Sequence, residues 1–348
     1  MKKIYYITAV FATLFLVGCG DGIDLPGVNV ETDLNKIPLP DNNVNLEQVE
    51  LKPSTEPMLH EGLHTEEDFQ RIRDKKAAGE EPWVSAYQLL VESQFSQKTA
   101  DTYPTEWIKR GISGDENYMN AARGATIVYQ QALRWKIEQD DEYAAKAVEN
   151  LNKWVQTCVG VTGNTNLSLA AGLYGYEFAI AGELLRDYGG WDRADFAAFQ
   201  NWLLKVFYPA NDDFLKRHHD TNALHYWANW CLCNIAAKMA IGIVTDRRDI
   251  YNEGIDHLQT GDTNGRLRRA IYHDYAPDYN FAQWQESGRD QGHTLMCVGL
   301  MGVICQLAWS QGDDFFAYDD NLFLRACEYA ACCNYTNETV PYTTYIWQ

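Results

Sequence analysis

Apolar side chains recur with helical spacing along nearly the whole chain from Thr65 onward, and this periodicity limits the fold more than any other feature. Residues 118–137 and 142–155 form two amphipathic segments joined by a short polar turn, which predicts a helical hairpin. Residues 222–244 and 283–310 are predicted as long, mostly apolar helices, and residues 340–347 are the main candidate for a strand. The pattern predicts an all-α protein of roughly ten helices, each about 12 to 25 residues long. Paired helices joined by short turns build a solenoid or close into an α/α toroid, and no fixed repeat favours the solenoid.

The N-terminal residues have the pattern of a bacterial lipoprotein signal. Lys2 and Lys3 precede an apolar stretch over residues 4–17, which is short for a membrane span and ends at Leu-Val-Gly-Cys19. We therefore predict a signal peptide over residues 1–19 and an acylated Cys19 that attaches the protein to a membrane. The expected location is the periplasm or the cell surface of a Gram-negative bacterium.

The rest of the chain divides into two parts by composition. Residues 20–58 are rich in proline, asparagine and aspartate and lack helical periodicity, so we predict a flexible tether. Residues 59–348 are long enough for one large helical domain, which we predict to be catalytic and monomeric.

The charge balance narrows the range of binding partners. The chain has 48 Asp and Glu residues against 29 Lys and Arg residues, a formal net charge of −19, so it lacks the cationic surplus that nucleic-acid binding requires. An acidic polymer would need local cations, for which residues 216–219 and the group Arg266, Arg268 and Arg269 are candidates. The cysteines other than Cys19 lack zinc-site spacing and mostly lie in apolar helical stretches, so we expect buried thiols and no metal or cofactor.

A first polar group falls within the predicted helix over residues 222–244. Asn222, His225 and Asn229 stand at i, i+3 and i+7 and would share one helix face. Polar side chains on an otherwise apolar helix are costly without partners, which indicates a cavity that holds a ligand. Trp227 and Trp230 in the same stretch offer flat apolar faces on which sugar rings stack.

A second polar group, residues 283–293, opens into an apolar helix. Glu286, Arg289 and His293 again have the spacing i, i+3 and i+7. Arg289 can form a two-pronged contact with a substrate carboxylate or with Glu286, and His293 can transfer protons near neutral pH. The alternative is a capping and ion-pair network at the start of a helix.

Residues 285–293, QESGRDQGH, resemble the signature stretch of the alginate-lyase-like α/α-toroid polysaccharide lyases, among which polysaccharide lyase family thirty-eight is one candidate. Supporting similarities include GYEFA at residues 175–179 and YWANW at residues 226–230, and the resemblance extends over roughly residues 60 to 348. It implies an incomplete α/α toroid of paired antiparallel helices. It also implies β-elimination on a polymer that contains uronic acid, with alginate or glucuronan as the expected substrate.

The resemblance also implies roles for individual residues. Asn222 or Asn229, together with Arg289, would neutralise the substrate carboxylate, and His225 or His293 would abstract the proton. The chain departs from the related Asn-Asn-His-Ser-Tyr-Trp pattern, because Leu224 occupies the histidine position and His225 the serine position. A tyrosine often protonates the leaving oxygen in such enzymes, and Tyr176 lies in a matching segment, with Tyr174, Tyr275 and Tyr279 as alternatives. The expected substrate contacts are Gln285, Glu286, Gln291, Trp227, Trp230 and Arg217.

Two other functions fit parts of the pattern. A glycoside hydrolase on a similar toroid would need two carboxylates flanking a cleft, for which Glu286 with Asp274 or Asp290 is available. A non-catalytic, glycan-binding surface lipoprotein would account for the aromatic residues and the anchor. An unsaturated product would identify the lyase, an ordinary reducing end the hydrolase, and binding without turnover the third class.

Overall fold

The computed structural model describes residues 55–336 and 339–345. The signal peptide, Cys19 and nearly all of the predicted tether lie outside the described residues. Short 3₁₀ turns occur at Gln94–Ser96 and His218–Asp220. The strands are β1 (Trp107–Arg110), β2 (Gly160–Gly163), β3 (Ile271–Asp274) and β4 (Ala282–Trp284). The helices are α1 (Glu66–Ala77), α2 (Trp83–Glu92), α3 (Tyr118–Glu138), α4 (Asp141–Thr157), α5 (Leu167–Leu185), α6 (Arg193–Val206), α7 (Tyr208–Arg217), α8 (Ala228–Val244), α9 (Arg248–Thr260), α10 (Leu267–Ala270), α11 (Gln291–Ser310) and α12 (Tyr318–Tyr335).

The long helices form an inner and an outer layer. On the inner layer α5 packs against both α3 and α8, and α8 packs against α11. Each inner helix is followed in the chain by an outer partner that packs against it, as α4 does on α3, α9 on α8 and α12 on α11. The predicted hairpin of residues 118–155 is confirmed by α3 and α4. The fold is an incomplete α/α toroid of paired antiparallel helices, as the sequence predicts.

Sequence differences between the layers explain their positions. Almost every side chain of α8 is buried, including small residues such as Ala236 and Ala240 that allow its neighbours to approach closely. The outer helix α4 is amphipathic instead: Asp140 caps its N-terminus, and Leu151 and Trp154 lie on its buried face. A helix that is apolar all round has to be enclosed, whereas one with a single apolar face can cover an outer surface.

The inner helices all begin at the same end of the toroid. β1 leads into α3 and β2 into α5, and the two strands pair in parallel, which brings the starts of those helices together. In the first turn of α5, Ser168 Oγ lies 3.0 Å from His219 Nε2 in the segment that precedes α8. The segment before α11 reaches the start of α8, because Gln285 Oε1 accepts a hydrogen bond from the Ala228 amide at 2.8 Å. This end, the N-terminal mouth, therefore gathers the connecting segments of the inner helices.

The structure corrects the predicted start of the helix over residues 222–244. Its helix α8 begins only at Ala228, and residues 221–227 form turns. Asn264 Nδ2 donates hydrogen bonds to the carbonyls of Leu224 and Tyr226, at 3.0 and 2.9 Å, and so holds this segment outside the helix. Asn222, His225 and Asn229 consequently do not share a helix face, and that prediction is wrong.

Other predicted boundaries shift in a similar way. The helix predicted over residues 283–310 begins at Gln291, where the Asp290 side chain caps it, and is preceded by β4 and a turn. Residues 340–345 are described but form no strand. Met58, which the sequence analysis places in the tether, is buried in the core.

Helix α11 is both long and mostly apolar. Within the described ranges it is the helix long and apolar enough to cross a membrane by length and composition. It packs against α8 and α12, and most of its side chains are buried inside the toroid. Its apolar character is therefore accounted for by its place on the inner layer.

The contact between α5 and α8 depends on Gly172. A Cβ atom at this position would lie 2.5 Å from Cys233 Sγ and 3.0 Å from the Asn234 backbone nitrogen. We expect Gly172→Ala to lower the free energy of unfolding by roughly 1–3 kcal/mol, the usual cost of overpacking a well-packed core. Gly189→Ala is the matched control, because a Cβ atom there would meet nothing within 4 Å. Chemical denaturation of both variants tests this, and equal stabilities would contradict the proposed close packing.

Candidate functional site

The turn before α11 places Arg289 at the N-terminal mouth. Glu286 is fully buried and accepts a hydrogen bond from Arg289 Nη2, and the guanidinium lies 4.5 Å from the centre of the Trp227 ring. Burial raises the pKa of Glu286, and the nearby Arg289 charge partly opposes that rise. The Arg289 side chain is 41% exposed, so N–H groups remain available for a ligand while Glu286 and Trp227 fix its position. The predicted contact between Glu286 and Arg289 therefore forms, although in a turn and not on a helix.

Asp290 and His293 form a dyad beside this arginine. Asp290 caps α11 by accepting from the His293 amide at 3.1 Å, and its other oxygen lies 2.7 Å from His293 Nδ1. These contacts lower the pKa of the Asp290 carboxyl, with the backbone hydrogen bond as the main cause. Because a carboxylate can only accept, Nδ1 donates in this contact, and Nε2 is the ring nitrogen left for a ligand. The half-exposed histidine thus has the orientation of a general base.

A cavity of about 290 Å³ adjoins Trp227 at this mouth. Tyr345 projects into it, with its ring centre 5.7 Å from that of Trp227. The Tyr345 hydroxyl donates to Asn264 Oδ1 at 3.1 Å and accepts from Gln285 Nε2. Burial raises the pKa of Tyr345, while Gln285 and the charge of Arg269 act in the opposite direction. The cavity is lined by Leu224, Asn264, Arg268, Arg269, Tyr272 and Tyr345.

The cations of the cavity differ in availability. Arg268 forms ion pairs with Asp274 and Asp319, so its charge is already neutralised. Arg269 is partly exposed and lies close enough to Tyr345 to influence its pKa. Of the two arginines that line the cavity, Arg269 is therefore the better ligand for an anion.

Asn229 is buried in the first turn of α8. Its Nδ2 lies 3.8 Å from Met296 Sδ, and its Oδ1 is buried with no hydrogen-bond partner among the described residues. A buried polar atom without a partner is costly, and such atoms are expected where a ligand completes the hydrogen bonding. Because Oδ1 can only accept, a donor such as a sugar hydroxyl would complete its hydrogen bonding, and the atom does not by itself support the predicted role of Asn229 in carboxylate binding.

Other predicted site residues are exposed, buried in the core or held by structural contacts. Asn222 and His225 are exposed on the loop before α8, and Arg217 is exposed and paired with Asp213 and Asp220. Tyr176 is only 2% exposed within the core, where a polymer cannot reach it. Three further candidates take part in structural contacts. Gln291 forms hydrogen bonds with Ser287 and Asn334, and Trp230 packs against Tyr226 and Phe214. Tyr275 donates a hydrogen bond to Gln283.

Sequence reasoning missed Tyr345 and Asn264. Tyr345 lies 60 residues beyond Gln285, and nothing in its local sequence indicates a site. Asn264, between Thr263 and Gly265, looks like an ordinary turn residue until its side chain is seen to hold the loop before α8. Within the part of the chain that the structure describes, no group of three or more His, Cys, Asp or Glu side chains could hold a metal ion.

An α/α toroid that carries arginines, a histidine–aspartate dyad and aromatic platforms at one mouth has the architecture of a polysaccharide lyase. The chain belongs to the alginate lyase family, whose sequence profile matches residues 73–338. No curated protein matches the sequence.

Solved structures of alginate lyases share this fold. A variant of alginate lyase A1-III complexed with a tetrasaccharide superimposes with a TM-score of 0.61 at 14% identity, over 81% of this chain and 82% of that one. Alginate lyase A1-III from Sphingomonas species A1 gives a TM-score of 0.56 at 13% identity, with 80% of each chain covered. An alginate lyase from Bacteroides ovatus gives 0.54 at 14% identity, over 77% of this chain and 82% of that one.

Glu177 on α5 is a half-buried acid with one fully buried carboxylate oxygen. Its Oε2 has no hydrogen-bond partner among the described residues, and burial raises its pKa to about 8 against a hydrogen bond from Tyr176. Because this folded-state pKa lies above the ordinary value of 4.5, folding favours the protonated carboxyl. Its contribution to stability is therefore fully present below about pH 4.5 and is lost as the pH rises through about 8.

We expect Glu177→Gln to reduce the pH dependence of stability, because the amide cannot ionise. Between about pH 6 and pH 9 the melting temperature of the wild type should fall more than that of the variant. The reason is that a difference of one pKa unit between the folded and unfolded states changes the free energy of unfolding by about 1.4 kcal/mol. Differential scanning calorimetry across this range measures the effect. Exposed Glu106→Gln controls for loss of charge, and parallel curves for all the proteins would contradict the assignment.

Proposed function

We propose that this protein cleaves a uronic-acid polymer, alginate or a related polymer such as glucuronan, by β-elimination. The observation that carries the proposal is the His293–Asp290 dyad beside Arg289, which itself lies over the Trp227 ring. Together these residues supply a base, a carboxylate ligand and a surface on which a sugar ring stacks. Membership of the alginate lyase family and the fold shared with an alginate lyase that binds a tetrasaccharide support this assignment.

The reaction requires a carbon acid to be made more acidic before its proton is removed. Arg289 would bind the carboxylate at C5 of the uronate and stabilise the negative charge that develops on it. His293 Nε2 would take the C5 proton, and the electrons of that C–H bond would form the C4–C5 double bond as the C4–O bond breaks. The departing glycosidic oxygen then needs a proton, for which the Tyr345 hydroxyl is the donor that the cavity offers.

Asn229 and Arg269 would assist on either side of this centre. The buried Asn229 has an unsatisfied Oδ1 that would accept a hydrogen bond from a sugar hydroxyl, while the N-terminus of α8 beside it favours an anion. Arg269 would bind a carboxylate in the cavity next to Tyr345. The positive charges of Arg289 and Arg269 are local, which is how a chain with a net charge of −19 can bind an acidic polymer.

The carboxylates proposed for a hydrolase have other partners. Glu286 is buried against Arg289, and Asp290 is held by His293. Asp274 forms a two-pronged ion pair with Arg325. A hydrolase needs one carboxyl as acid and another as base or nucleophile across the scissile bond, and these three acids already have structural roles. The geometry favours the lyase.

We expect the wild-type protein to release unsaturated uronides from polymannuronate, polyguluronate or polyglucuronate, detected by their ultraviolet absorbance. His293→Gln and Tyr345→Phe should each lower kcat by roughly 100-fold or more, because general acid and base groups contribute at least that much. Arg289→Ala should lower kcat/KM through loss of transition-state stabilisation. Initial rates on each polymer are the measurement.

Matched controls separate chemistry from folding. His60→Gln, Tyr335→Phe and Arg193→Ala change exposed residues of the same types and should leave the rates unaffected. Products with ordinary reducing ends would contradict the lyase in favour of a hydrolase, and polymer binding without turnover would favour a glycan-binding protein. Full activity of His293→Gln would contradict the assignment of the base.

We also propose that Cys19 is acylated and anchors the protein to a membrane, on the pattern of the first 19 residues. In Gram-negative cells that express the full chain, a labelled fatty acid should be incorporated into the wild type and not into Cys19→Ser. The variant should leave the membrane fraction. Equal labelling of both proteins would contradict the anchor.

A further inference from the structure

The segment of residues 339–345 reaches the cavity at the N-terminal mouth without forming a helix or a strand. From Pro341 to Tyr345 its residues alternate between half-buried and exposed, which is typical of an extended chain with one face turned inward. The backbone polar groups of such a segment need partners from elsewhere in the protein. Those partners therefore decide where Tyr345, the proton donor of the proposed function, stands.

Gln283 on β4 holds the backbone of this segment. Its Oε1 accepts a hydrogen bond from the Thr343 amide at 2.9 Å, and its Nε2 donates to the Thr343 carbonyl at 2.9 Å. A glutamine amide has the same donor and acceptor as a peptide group, so one side chain satisfies both backbone groups of Thr343, as a neighbouring strand would. Thr343 stands two residues before Tyr345, so this pair of hydrogen bonds is close to the proton donor.

The side chain of Gln283 is itself fixed in position. Gln283 is only 1% exposed. Tyr275 Oη donates to its Oε1 at 2.6 Å, and its Nε2 also donates to Tyr272 Oη at 3.0 Å. The Tyr272 ring in turn packs edge-on against Tyr345, with ring centres 5.0 Å apart and an interplanar angle of 81°. Gln283 and its two tyrosine neighbours thus form one rigid support behind Tyr345.

We propose that Gln283 is a positioning residue, which places the Tyr345 hydroxyl for protonation of the leaving oxygen by holding the Thr343 peptide group. The inference rests on the proposed function, because it takes Tyr345 as the proton donor. Without the amide of Gln283, the segment shifts and carries the hydroxyl away from the glycosidic oxygen, whereas His293 on α11 keeps its place. A misplacement of about 1 Å can lower a rate by about 100-fold.

A double-mutant cycle tests this role. Gln283→Met keeps much of the volume and removes the amide, and it should lower kcat on the polymer by roughly 10- to 100-fold with little change in KM. In a Tyr345→Phe background the same substitution should cause less than about a twofold further loss, because residues that act through one hydroxyl are not additive. Gln283→Glu keeps the accepting oxygens and should show a smaller loss, and it replaces Gln283→Met in the cycle if that variant does not fold.

A uronide that carries a para-nitrophenyl ether at C4 gives a second readout. Para-nitrophenolate leaves without a proton, so the base at C5 and the carboxylate ligand are sufficient for elimination. Gln283→Met should therefore cleave this substrate at nearly the wild-type rate. A loss as large as that on the polymer would overturn the positioning role.

Gln311 provides a matched control at the opposite end of the toroid, after the last turn of α11. It is also a buried glutamine that holds an irregular segment, because it accepts from the Leu59 amide at 2.9 Å and donates to the carbonyls of Leu59 and Glu61 at 3.0 and 2.7 Å. Gln311→Met should leave kcat unchanged. Hydrogen exchange should become faster at the Thr343 amide in Gln283→Met and at the Leu59 amide in Gln311→Met.

Hydrogen exchange does not depend on activity, so the possible failures are distinguishable. If the wild type releases no unsaturated product while exchange at Thr343 still responds to Gln283→Met, the proposed function is overturned and the catalytic role of Gln283 with it. If the wild type is active and Gln283→Met has the wild-type kcat, or the losses in the cycle add, the positioning role is overturned alone. An equal loss of kcat in Gln311→Met would show a general effect of stability and would also overturn it.

Discussion

The close contact between α5 and α8 is the constraint on which the rest of the toroid depends. Gly172 allows the backbones to approach at Cys233 and Asn234, and Asn234 Nδ2 donates to the Ser168 carbonyl at 3.2 Å. Asn211 on α7 donates to Asn234 Oδ1 at 2.7 Å, which fixes the adjacent outer layer as well. Because these contacts lie near the starts of α5 and α8, they fix the spacing of the connecting segments at the mouth. The site inherits its geometry from this core contact.

Several polar side chains at the mouth act both as structural caps and as site residues. Gln285 caps the start of α8 with one amide atom and contacts the Tyr345 hydroxyl with the other. Asp290 caps α11 and orients His293. Asn264 holds the loop before α8 and accepts from Tyr345. The positive ends of the inner helices therefore carry the residues that orient the chemistry, and a mutation at one of them alters local folding and the site together.

The sequence predicts the parts of this structure that depend on local periodicity. The helical hairpin and the all-α class follow from spacing alone. The contact between Glu286 and Arg289 is expected from helical spacing, but it forms in the turn before α11. The start of α8 does not follow from spacing, because Asn264 holds residues 224 and 226 out of the helix from about 40 positions further along the chain. Tyr345 reaches the cavity through hydrogen bonds between distant segments. Contacts of this kind have no local signal that periodicity can detect.

The position of Leu224 bears on how the chemistry is distributed. In the related Asn-Asn-His-Ser-Tyr-Trp pattern a histidine stands at this position, and here Leu224 lines the cavity beside Arg269 and Tyr345. A leucine cannot move a proton, and His225 beside it is exposed on the loop. Under the proposed function, the proton acceptor is then supplied from the start of α11, where Asp290 orients His293. Because the mouth gathers the starts of all the inner helices, transferring the base from one to another leaves the toroid unchanged, so the fold is compatible with more than one arrangement of the same reaction.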